Sequence, residues 1–189
     1  MKMLLLLTAS VASLMAADPS GFGLWKSAEL NSLEKKLASK MDQKKSPASE
    51  ALANYGNHSI SVIHREVSGE AELHETQADL FVVQTGDATI IVGGTVVEPQ
   101  TTAPNEVRGP SIIDGERKHL GPGDIMHIPP KTPHQLLLDK GKQFTYAIMK
   151  INAEEEVLKN AAEHAKQHGI REVTPELKAK VKAAIRDEK

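Results

Sequence analysis

The sequence predicts an all-β core, a single antiparallel sandwich or barrel with α-helices flanking it at both ends. Two patterns and one feature of composition carry that prediction. Between His58 and Ile151, short apolar and β-branched runs are separated at close intervals by Gly, Pro and Asp clusters, as in antiparallel sandwiches and barrels. On either side the apolar spacing shifts to three and four residues, the period of a helix. The chain has 189 residues, 40% hydrophobic and 3% aromatic, so the core must rest on Val, Ile, Leu and Ala. Few rings remain for stacking on bases or sugars. With 23 basic and 25 acidic residues there is no basic stripe to neutralise phosphates, which argues against a nucleic-acid partner.

Residues 1–17 read as a secretory signal peptide: Lys2 near the start, the apolar run Leu4 to Leu7, and small residues ending at Ala16-Ala17. The apolar run is too short to span a bilayer, so no membrane span is expected after cleavage and the location is periplasmic or secreted. Residues 18–57 form an N-terminal helical arm. In it Leu30, Leu33, Leu37 and Met41 make one face of a helix from about Leu24 to Met41, and Lys35, Lys36 and Lys40 make the other. This helix is expected to pack on its own barrel or on a sister subunit. A short helical piece through Leu52 follows the break at Ser46-Pro47.

The barrel occupies 58–151. Ile60, Val62 and His64 share one face of its first strand, because side chains alternate with a period of two. Gly69 turns the chain into Ala71–His74, and Asp79 to Thr85 is the next strand. Gly86-Asp87 leads into Ala88 to Val92, and Gly93-Gly94 reads as a two-residue hairpin returning through Thr95 to Val97. Residues 98–110, with three prolines, are expected to form a loop over the barrel mouth. Ser111 to Ile113 and Glu116 to Leu120 form a hairpin at Asp114-Gly115, and His134–Asp139 and Lys142–Ile151 form another at Lys140-Gly141. Residues 152–189 are C-terminal helices. The first, Glu154 to His168, is ended by Gly169; the second is capped by Thr174 with Pro175 at its first position.

One stretch stands out chemically. Gly121-Pro122-Gly123-Asp124 is a turn, Ile125 to Ile128 a short strand, and Pro129-Pro130 and Pro133 brace the corner before His134. An imidazole on a rigid strand end suits metal binding or proton transfer. Pro122-Gly123-Asp124, Ile128-Pro129 and His134 resemble the second sequence motif of the cupin family. The first cupin motif, His-x-His followed by Glu and Gly, is similar to Glu72-Leu73-His74, Asp79 and Gly86, with Glu72 in place of the first His and Asp79 in place of Glu. The resemblance implies a jelly-roll barrel that brings His74 and His134 side by side, and a homodimer. It also implies a metal set of Glu72, His74, Asp79 and His134, with Asp79 either a ligand or the orienter of one.

The residues themselves support that chemistry. Glu72 and His74, two apart on a strand, leave the same face roughly 6–7 Å apart. With no cysteine, any ion is held by imidazole, carboxylate or amide ligands, which suits divalent Fe, Mn, Ni, Cu or Zn. His127 enters the same cavity as a general acid–base if its face points inward; Ile125 shares its parity. Gln84, polar on an apolar strand, and Arg65, able to grip a carboxylate, are candidates for binding the substrate. His64 reads as a core histidine. No nucleophile elbow, phosphate loop or dinucleotide fingerprint occurs. The functional expectation is a small metalloenzyme of dioxygenase, isomerase or lyase type acting on a small organic molecule. The alternative is a non-catalytic barrel, with or without metal, that holds a small ligand.

Overall fold

A computed structural model describes residues 18–41 and 47–153, with 159, 163, 167, 174–176 and 179–180 beyond them. The expected signal peptide lies outside the described residues. So do most of the expected C-terminal helices, although described positions there such as Lys159 and Glu176 are helical.

Two antiparallel sheets face each other. In spatial order the five-stranded sheet is β1 (Ala48–Asn54), β2 (His58–Arg65), β13 (Phe144–Asn152), β4 (Gln77–Gly86) and β11 (Ile125–Ile128). The six-stranded sheet is β10 (Glu116–Leu120), β5 (Ala88–Val92), β12 (His134–Leu137), β3 (Ala71–His74), β8 (Glu106–Gly109) and β7 (Gln100–Ala103). A ribbon of β6 (Thr95–Val96) and β9 (Ile112–Ile113) completes the β structure. From β10 to β13 successive strands alternate between the two sheets, the crossing pattern of a jelly roll. The all-β prediction therefore holds.

That alternation explains which turns were misread. Asp114-Gly115 and Lys140-Gly141 do not close hairpins. They are corners at which the chain leaves one partner for another: β10 pairs with β5, and β13 with β2 and β4. Likewise Gly93-Gly94 does not pair β5 with β6, since β6 pairs with β9. Turn chemistry specifies a reversal, but the sheet that receives the next strand is set by long-range burial. Residues 98–110 are not a loop either; β7 and β8 pair with each other there, and β8 with β3. The helical piece expected through Leu52 is the edge strand β1, bonded along β2. Its Ala, Glu and Leu favour a helix in isolation, and the open edge of the sheet overrides that preference.

Period-two alternation sorts the core. Phe81, Val83, Ile128, Tyr146 and Ile148 project from one sheet against Ile90, Leu120 and Leu136 of the other, each large side chain contributing about 1.5–3 kcal/mol by leaving water. On the far side of the six-stranded sheet, the β6–β9 ribbon covers Ala71 and Ile91. On the far side of the five-stranded sheet lies the helix α1 (Ser27–Ser39), which buries Leu37 completely. The Glu29 carboxylate accepts from the Lys26 backbone N–H at 3.1 Å at its start, and Lys36 and Lys40 reach Glu50 of β1 at 2.6 and 3.2 Å. The arm thus packs on its own barrel. No helix among the described residues is long and apolar enough to cross a membrane.

Candidate metal centre

Strand pairing brings the two sequence motifs together. His134 of β12 lies directly opposite Glu72 of β3, and His74 is two residues further along the same face. The proline corner is tied to this strand as well, with the Lys131 backbone N–H donating to the His74 carbonyl at 2.7 Å. One donor atom from each of Glu72, His74 and His134 lies within 4.8 Å of the others. Asp79 arrives from the facing sheet, its Oδ2 3.2 Å from His74 Nε2 and 3.5 Å from His134 Nε2. The two histidines thus lie on neighbouring strands of one sheet, with Asp79 facing them from the other, as the predicted architecture requires. The fold is a jelly-roll β-barrel.

The outer partners of the two imidazoles decide what this barrel offers an ion. His134 Nδ1 lies 3.1 Å from the Thr132 carbonyl, which only accepts, so Nδ1 carries the proton and Nε2 keeps its lone pair. His74 Nδ1 donates to Glu106 at 2.6 Å, leaving its Nε2 turned to the same cluster. Holding each ligand's second nitrogen by a carbonyl or carboxylate is how proteins aim imidazoles at metals. His134 Nε2 is buried and has no hydrogen-bond partner among the described residues; its 3.5 Å approach to Asp79 is too long for a hydrogen bond. An orphaned lone pair facing carboxylate oxygens fits a cation. Two imidazoles with carboxylates, and no thiolate, form a set for a divalent ion with positions left open.

Part of that role is filled from within. Lys150 of β13, opposite Asp79 in register, places Nζ 2.8 Å from His74 Nε2 and 3.2 Å from Asp79 Oδ1. Arg108 of β8 ties down the carboxylates, 2.8 Å from Glu72 and 2.6 Å from Glu106. Around them is a cavity of about 200 Å³ lined also by Ile63, Phe81, Leu136 and Ile148. Arg65 stands in its wall, donating from Nε to the buried Tyr146 hydroxyl at 3.0 Å.

Burial works against a charge on His74, but the hydrogen bonds to Asp79 and Glu106 outweigh it and push its pKa up to about 9, with Lys150 opposing. The 2.8 Å gap between His74 Nε2 and Lys150 Nζ admits one proton between the two nitrogens. Burial pushes Asp79 up as well, yet His74 and Lys150 outweigh it and hold its carboxyl far below the usual range. A folded pKa above the unfolded one stabilises the fold below the unfolded value and is lost as pH rises through the folded value. Metal-free protein is therefore expected to lose stability from its ordinary histidine value near 6.5 up to about pH 9, read as a falling urea midpoint. Metal affinity should climb across the same window, since ligands bind deprotonated.

The remaining candidates separate cleanly. Arg65 lines the cavity. His127 is not: it is exposed on the outward face it shares with Ile125, itself 69% exposed. A short strand with apolar residues on both faces left that choice open, and Ile128 took the core. Gln84 is also misplaced. It is not among the residues lining the cavity, and it falls at the register shift between the Val83 and Thr85 pairings of β4 with β13. His64 is a fully buried core histidine, its Nδ1 2.8 Å from Thr145 Oγ1.

The sequence reading passed over Lys150, Tyr146, Glu106 and Arg108. The first two share the inward parity with Ile148, and a lysine on an otherwise buried face was the available signal. The last two were hidden by assigning 98–110 to a loop, although Glu106-Val107-Arg108 alternates. Glu106→Gln is expected to weaken metal binding by roughly 10–100-fold, the usual cost of losing an outer partner of a ligand, measurable by titration calorimetry.

Solved structures similar to this one are distant. KdgF from a Halomonas species is 14% identical, covering 61% of this chain and 89% of its own, with a TM-score of 0.42. A cupin superfamily protein from Desulfitobacterium hafniense is 21% identical over 61% and 87% of the two chains, TM-score 0.41. The DMSP lyase DddQ from Ruegeria pomeroyi is 14% identical over 59% and 49%, TM-score 0.42. Likeness at this level says nothing about chemistry. A family described as "Protein of unknown function (DUF1059)" matches residues 148–187, which take in the end of β13 with Lys150 and then run on past that strand. No curated protein matches the chain.

Proposed function

We propose that the protein binds one divalent metal ion through His74, His134 and the carboxylates of Glu72 and Asp79, and acts on a small organic molecule in the adjoining cavity. One observation carries this reading: the buried, unpartnered Nε2 of His134, aimed at the other donors. When bound, such an ion supplies Lewis acidity toward a carbonyl or carboxylate oxygen. The chain's own residues do the rest. Arg65 presents a guanidinium that binds a substrate carboxylate, and Tyr146 can donate its hydroxyl proton. Phe81, Leu136 and Ile148 keep the floor dry, which strengthens each polar contact above it. Protein purified untagged and without chelator should carry about one equivalent of metal by elemental analysis. Less than a tenth of an equivalent, not restored by added Mn²⁺, Fe²⁺ or Zn²⁺, rejects the reading.

A second reading, a metal-free barrel that only holds a ligand, is favoured by the Lys150 ammonium at 2.8 Å from His74 Nε2. Metal-dependent alteration of a substrate supports the enzyme; ligand recovered unchanged supports the binding module. We further infer export, from the leader at residues 1–17, and a homodimer. N-terminal sequencing of secreted protein starting near Asp18, and light scattering at twice the chain mass, would support them; an intact Met1 and a monomer would refute them.

A further inference from the structure

We propose that Lys150 is a built-in competitor for the metal, so that an ion enters only by displacing its ammonium and the site's affinity is set by this one residue. The inference rests on the metal-binding reading above and concerns a residue outside the ligand set. Its Nζ contacts His74 Nε2 at 2.8 Å and Asp79 Oδ1 at 3.2 Å, two of the donors the ion requires. The same lone pair cannot serve both. An ammonium left at that distance from a divalent ion would also meet strong like-charge repulsion where the surroundings screen little.

Displacement is physically open to Lys150 and closed to its neighbours. Tyr146 and Ile148, on the same face of β13, are 1% and 6% exposed and locked in the core. The Lys150 side chain is 32% exposed and has a four-carbon stem, so the head can swing toward the mouth and be hydrated there. The ammonium leaves His134 Nε2 unsatisfied, which shows that it substitutes for an ion only in part. Lysine in this position gives Asp79 a counter-charge in the empty site, as Arg108 does for Glu72 and Glu106. It does so at the expense of metal affinity.

The test compares metal-stripped wild type with Lys150→Met and Lys150→Gln by calorimetric titration of Mn²⁺ and Zn²⁺. Both variants should bind about tenfold more tightly or better, and the rise in Tm on adding metal should exceed that of wild type. Wild type offers an independent readout: adding metal should raise the reactivity of the Lys150 amine toward an acylating reagent severalfold, followed by peptide mass spectrometry. Variants that bind no tighter, or a Lys150 reactivity that is unchanged or falls, overturn the proposal while leaving the metal centre in place. If neither wild type nor variants bind metal, both this proposal and the metal-binding reading fall.

Discussion

His134→Ala is expected to weaken metal binding by at least about a hundredfold while leaving the barrel folded. The side chain contributes a lone pair already aimed and desolvated, with Nδ1 held by the Thr132 carbonyl at 3.1 Å, so its loss removes a first-rank ligand, beyond the roughly 10–100-fold attached to an outer partner. Stability should change little. Alanine gives up some packing, but it also removes a buried acceptor without a partner, a penalty of about 1–3 kcal/mol. Calorimetric titration gives the affinity and a thermal melt gives the fold. A variant that binds as tightly as wild type would remove His134 from the ligand set.

Phe144→Ala should have the larger effect on stability, about 3–5 kcal/mol. Phe144 is fully buried, its ring lies 5.3 Å from that of Tyr146, and its backbone pairs with Arg65 on one side and Gly86 on the other. Those neighbours leave the site little room to collapse around the missing ring. Gly86 is fixed by its own geometry: at φ +78°, a Cβ there would sit 1.9 Å from the Gln143 carbonyl oxygen. Set against a typical domain stability of about 5–15 kcal/mol, the loss should move the urea midpoint strongly and leave little margin at 37 °C. A shift worth less than about 1 kcal/mol would mean that the two sheets do not meet at this residue.

The fold was legible where local chemistry and global burial agree. The turn before Ile125, the strand at 125–128 and the proline corner before His134 carry their own signals. Because Glu72 and His74 alternate with outward residues, their shared face followed from the period alone. What could not be read was which strand each turn hands the chain to. Asp114-Gly115 and Lys140-Gly141 look like hairpin turns, and a local rule has no access to the facing sheet. The inward or outward choice at His127 was equally undetermined, because Ile125 and Ile128 on opposite parities compete for one core and only the packed barrel decides between them. Lys150 was missed for a related reason. On a sequence it reads as the polar end of a strand, and it becomes chemically important only beside Asp79 and His74, more than seventy residues earlier.

The ligand geometry is tested most directly by anomalous diffraction from crystals grown with Mn²⁺ or Zn²⁺. The account predicts one strong peak between the two sheets, about 2.0–2.3 Å from Nε2 of both His74 and His134, with the Lys150 ammonium moved away from His74. No peak there at saturating metal, with Lys150 still bridging His74 and Asp79, would contradict it.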